Sequence, residues 1–125
     1  MSLVALDLEF TRTNLDQDCA LIQALMQIAV EDLRSLAIDL RSALNSRETE
    51  QVRRLAHAIK GLAANFRAEP LTQLTSQLEK ASHAWDELLL QQVVDEVSTA
   101  CECTVLALIS ELQTMNRAKV RPSSV

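Results

Sequence analysis

Apolar side chains recur at steps of three and four residues along four stretches of this chain, the spacing that puts them on one face of a helix. In the first, about 16–44, the stripe is Ile22, Leu25, Ala29, Leu33, Leu36, Leu40 and Ala43. Asp16 or Asp18 suits the cap before it, and Asn45 and Ser46 suit a turn after it. The second, about 47–66, carries Val52, Leu55, Ile59, Leu62 and Phe66. The third starts near Glu69, with Pro70 in a first turn that does not need its amide, and carries Leu71, Leu74 and Leu78. It is expected to end between Lys80 and Asp86. The fourth, about 86–115, carries Leu90, Val93, Val97, Ala100, Thr104, Leu108 and Leu112.

Four amphipathic helices with short connections must bury their stripes against one another. The predicted fold is therefore all-α, an antiparallel four-helix bundle. Leu3, Leu6 and Phe10 suggest a short additional helix before it. The bundle domain is expected over 1–118, with 119–125 as a frayed tail. Composition agrees: 125 residues suit one domain, 48 % are hydrophobic, and one glycine and two prolines leave few turn signals.

The formal charge of −5 and the scarcity of aromatics argue against nucleic acid as a partner. No apolar run approaches the roughly 18 residues of a membrane span. The opening MSLVALDLEF lacks a basic leader, and three cysteines without a signal fit a reducing, cytoplasmic setting. Cys101 and Cys103, two residues apart on a helix, diverge and have no ligand-spaced partner, so they read as packing residues.

One stretch carries candidate chemistry. On the second helix His57 is two residues from both Leu55 and Ile59, which turns it about 200° from the apolar stripe and into solvent. Arg53, Arg54, Lys60 and Gly61 share its surface, with Ala64 further along and Asn65 at the edge. A neutral imidazole is a nucleophile near neutral pH. Cations beside it would offset the charge of a phosphoryl group placed on the ring. Glycine in a helix interior costs about 1 kcal/mol relative to alanine. On a solvent face it leaves a bare patch where a partner can come close to the ring, as in-line transfer requires. The residues alone leave a second reading open, an inert helical adaptor that binds through this strip of small side chains. The other histidine, His83, lies near the connection to the fourth helix, where Trp85 is expected to pack on the bundle end. His83 itself reads as structural or incidental.

The run His57-Ala-Ile-Lys60-Gly61, followed by Ala63, Ala64, Asn65 and Phe66, resembles the core motif of histidine-containing phosphotransfer (HPt) domains of two-component phosphorelays. Leu71, Leu74 and Leu78-Glu79 are similar to that family's continuation, and the resemblance covers roughly residues 8–115. It implies a four-helix bundle whose exposed His57 accepts a phosphoryl group on Nε2 from a receiver-domain aspartate and passes it to another. Lys60 would stabilise the phosphate and Glu79 would orient the imidazole through Nδ1. Arg53, Arg54, Gly61, Ala64, Asn65 and Arg67 would meet the partner. The expected partners are receiver domains of response regulators or hybrid histidine kinases, with the chain itself a cytoplasmic monomer. No cofactor of its own is expected, and Mg2+ belongs on the receiver. No glycine-rich loop or Walker lysine is visible, so the chain is a phosphoryl carrier with no ATP site. Service directly by a histidine kinase, or a non-catalytic role in binding signalling proteins, are the alternatives. One residue departs from the pattern: Arg67 stands where the family usually has glycine, at a position suited to a left-handed helix end. Either that turn is strained or it takes another shape.

Overall fold

A computed structural model describes residues 6, 7, 9 and 18–120, with side chains to Arg117. Four helices can be traced among the described residues: α1 (Cys19–Asn45), α2 (Thr49–Asn65), α3 (Glu69–Ala84) and α4 (Glu87–Val120). Among the described residues there is no strand, and no helix is long and apolar enough to cross a membrane. Each helix packs against the next, and α4 closes back on α1. Contacts between α1 and α4 descend along one helix as they ascend along the other. Gln23 meets Asn116, Arg34 meets Glu102 and Arg41 meets Asp95. The bundle is therefore antiparallel with up-down-up-down connectivity, as the short links between amphipathic segments predict.

The stripes form the core. Ile22, Leu33, Leu40, Val52, Ile59, Phe66, Leu71, Leu78, Leu90, Val97 and Leu108 are all buried. Leu25, Leu36, Leu62, Leu74 and Leu112 lie only partly buried against its edge. A stripe of one residue per turn is narrower than the contact a helix makes inside a bundle. The core accordingly extends to Met26, Leu44, Ala56, Ala63, Val94, Cys101 and Val105, which flank the predicted positions. Buried Thr75, Ser82 and Thr104 satisfy their hydroxyls by donating to carbonyls one turn back, at Leu71, Glu79 and Ala100. Cys101 is buried and Cys103 half-buried, both free thiols, in keeping with a packing role.

Local signals set the ends. Asp18 caps α1, its carboxylate accepting from the Leu21 amide at 3.0 Å, and Asp86 does the same for α4 through Leu89. Pro70 sits in the first turn of α3. The fourth helix runs past the predicted limit to Val120, so positions 119 and 120, expected in a frayed tail, are helical; the rest of that expected tail, 121–125, lies outside the described residues. The proposed N-terminal helix also falls largely outside them, including Leu3 and Phe10. Leu6 is described and packs against the core.

The turns after α1 and α2 repeat one geometry. Arg67 has φ 50° and Arg47 φ 56°, both in the left-handed region. The Arg67 amide donates to Ala64 O and the Ala68 amide to Ala63 O. Arg47 and Glu48 do the same to Leu44 O and Ala43 O. This pair of bonds is a Schellman cap, which satisfies the last helical carbonyls and turns the chain. The turn at Arg67 thus keeps the shape that glycine favours and holds an arginine in it, at about 1 kcal/mol of backbone strain. Trp85 is a third left-handed residue, ending α3, and its ring packs against the core as expected.

Candidate functional site

Burial of Val52, Leu55, Ala56, Ile59 and Ala63 fixes the roll of α2 and turns His57 outward. The His57 side chain is 78 % exposed. Helix arithmetic distributes its neighbours on two flanks. Arg53 and Lys60 lie about 40° and 60° to one side of His57, while Gly61 and Arg54 lie about 40° and 60° to the other.

The first flank faces α3. There the Glu79 carboxylate stands between the two motif side chains, with Oε2 3.8 Å from His57 Nδ1 and Oε1 3.7 Å from Lys60 Nζ. Glu79 projects into the seam between the helices because Leu78 beside it is buried and fixes the roll of α3. Its side chain is 25 % exposed overall, but Oε1 itself is closed to solvent and has no hydrogen-bond partner. Both distances exceed a hydrogen bond. A small side-chain rotation of Lys60 or His57 would close either one, and such contacts tighten in many sites once substrate arrives.

Arg53 is held elsewhere. Its Nη2 donates to both carboxylate oxygens of Glu50, at 2.7 and 2.6 Å. The pairing lowers the Glu50 carboxyl below its ordinary range, chiefly through the hydrogen bond, and raises Arg53 for the same reason. Glu50 did not figure among the sequence candidates, although its position three residues before Arg53 on one helix makes the pair legible. On the other flank Arg54 is exposed and makes no hydrogen bond or ion pair with a described residue. Glu50, Arg53, Arg54, His57 and Glu79 together rim a shallow depression of about 350 Å³.

Gly61 is exposed, has no positive φ, and a Cβ built on it would meet nothing within 4 Å. Neither packing nor backbone conformation requires glycine there. Ala64 and Asn65 are exposed along the same side of α2.

Arg67 is not brought to the histidine. Ten residues beyond His57, it lies about 15 Å along the axis. Its Nη1 is 3.7 Å from Asp7 Oδ2, and the Asp7 amide donates to Phe66 O at 2.8 Å. This latch joins the N-terminal segment to the α2–α3 turn. It is invisible in sequence, because sixty residues separate its partners. His83 is exposed in the last turn of α3, one turn beyond Glu79, where its electrostatic influence reaches Glu50. Among the described residues no group of three or more His, Cys, Asp or Glu is arranged to hold a metal ion.

Residues 12–115 match the family model described as "Hpt domain". No curated protein and no solved structure matches the chain.

Proposed function

The chain belongs to the Hpt domain family and has a phosphotransfer role in a phosphorelay, and from that premise we propose that His57 is its phosphoacceptor, exchanging a phosphoryl group with receiver-domain aspartates. The family role brings with it interaction with receiver domains or kinases of two-component systems. The observation that carries the assignment is the placement of an exposed imidazole with Nδ1 toward Glu79, Lys60 one turn on, and bare helix at Gly61.

The chemistry follows from that placement. With Nδ1–H directed at the Glu79 carboxylate, the Nε2 lone pair is free to attack. Nε2 takes the phosphorus in line, the acyl O–P bond of the donor aspartate breaks, and its electron pair leaves on the carboxylate. Nδ1 keeps its proton, and Glu79 stabilises the positive charge that develops on the ring. Lys60 leaves Glu79 Oε1 to neutralise the phosphoryl oxygens. Return transfer is the same step reversed, since both the N–P and the acyl-phosphate links are high in energy. Arg53, Arg54, Gly61, Ala64 and Asn65 form the docking strip, with Arg67 at its far end. Any Mg2+ that assists transfer is assigned to the receiver, because the two carboxylates beside His57 are engaged by Arg53 and Lys60. The carrier acts as a monomer.

The experiment is transfer of label from purified phospho-receivers to the wild type and to His57→Gln. Acid-labile, base-stable label on the wild type alone supports the reading. A histidine kinase that labels His57 when no receiver does would reassign the donor. No label from either class would return the chain to the adaptor reading.

A further inference from the structure

Three cations surround His57, and the structure divides their work. Arg53 is occupied by Glu50 through a two-oxygen contact. Lys60 is drawn toward Glu79. Both lie on the α3 flank, the side that His57 Nδ1 faces. The two ring nitrogens lie on different edges of the imidazole, so an Nδ1 edge turned to α3 directs Nε2 away from it. On that far flank stand Arg54 and Gly61. Arg54 is one turn before the histidine, close enough for its side chain to reach a group on the ring. Among the described residues its guanidinium has no hydrogen bond or ion pair. Glu50, the carboxylate in its electrostatic reach, already holds Arg53. Gly61 keeps this flank clear, since nothing lies within 4 Å of the place its side chain would fill.

Resting on the assignment of His57 as phosphoacceptor, we propose that Arg54 is a phosphoryl-binding residue, its guanidinium holding the oxygens of the group on Nε2 from the flank opposite Lys60. A guanidinium presents paired donors that match two phosphoryl oxygens at once. Lys60 must leave a carboxylate to reach the phosphate, whereas Arg54 has no carboxylate to leave. Arg54 therefore makes the earlier contact, and Lys60 completes the clamp.

The test needs no partner protein. The full chain is phosphorylated with phosphoramidate, whose P–N bond breaks as the Nε2–P bond forms and ammonia departs. Label on the wild type and none on His57→Gln establishes the acceptor. Arg54→Gln is then expected to take label about tenfold more slowly. The phosphoryl titration followed by 31P NMR should shift to higher pH, because a lost cation no longer favours the dianion. Arg54→Lys should recover part of both effects. Arg41→Gln, which removes an equal charge from the α1–α4 face, should change neither. If His57 is labelled but Arg54→Gln matches Arg41→Gln in rate and titration, the Arg54 assignment is overturned and the acceptor reading stands. Absence of label on His57 in the wild type overturns both.

Discussion

His57 and Glu79 face each other across the α2–α3 seam, Nδ1 to Oε2 at 3.8 Å, so the imidazole is backed by a carboxylate on one edge and open to solvent on the other. Glu79 comes from a different helix, twenty-two positions along the chain, and only the packing of α3 on α2 brings it there. Its second oxygen, closed to solvent and without a hydrogen bond, stands 3.7 Å from Lys60. The carboxylate thus stands within ion-pair range of both motif residues. Glu79→Gln keeps the shape but removes the charge. Transfer to His57 should slow about tenfold, and Glu79→Ala should slow it further by freeing the ring as well. Single-turnover labelling checks this, and equal rates for wild type and both variants would remove Glu79 from the site.

His57→Gln should abolish acceptance while leaving stability within about 0.5 kcal/mol of wild type, because the side chain is 78 % exposed and contributes nothing to the core. Lys60→Ala should slow transfer by about tenfold without abolishing it. Urea unfolding alongside the labelling assay separates loss of chemistry from loss of fold.

At Gly61 stability and function should part. With open space around the position, Gly61→Ala should stabilise α2 by about 1 kcal/mol. Gly61→Leu should also raise the unfolding midpoint, yet weaken docking and slow transfer from a receiver. A Gly61→Leu variant that transferred at the wild-type rate would end the idea that the bare helix serves a partner.

Arg67 holds a left-handed turn without the residue that favours it. Arg67→Gly relieves about 1 kcal/mol of backbone strain. It also loses the ion pair with Asp7, an exposed contact worth about 0–1 kcal/mol. The net effect expected is a small stabilisation, read as a higher urea midpoint. Arg67→Ala keeps the strain and loses the pair, so it should fall below wild type.

Cys101 offers a check on the core that is independent of the site. Burial pushes its thiol up from 9.0 to about 12. The unfolded chain releases this proton near pH 9 and the folded chain holds it to about pH 12. Between those values the unfolded state binds fewer protons, so stability should decline as pH rises. Cys101→Ala should flatten that decline in a pH series of urea unfolding. In the folded protein at pH 8, a thiol reagent should modify exposed Cys19 and spare Cys101.

The sequence alone determined the four helices, their order and the outward turn of His57. A period of three to four apolar residues dictates both a helix and the side of it that meets the core, and His57 is placed by Leu55 and Ile59 within its own turn. The placement of Lys60 and Gly61 on the same surface as His57 was legible for the same reason, as was the unusual Arg67. Tertiary structure decided what lies between elements. The distance from Glu79 to the imidazole depends on how α3 rolls against α2, which no local period specifies. The pairing of Arg53 with Glu50 is local to α2, but which cations stand beside α3, Arg53 and Lys60, and which is left on the open flank, Arg54, depends on which side of α2 receives α3. The contact of Asp7 with Arg67 and Phe66 required the chain to close on itself across sixty residues. Periodicity is a property of a segment, whereas a site assembled from two helices is a property of their packing.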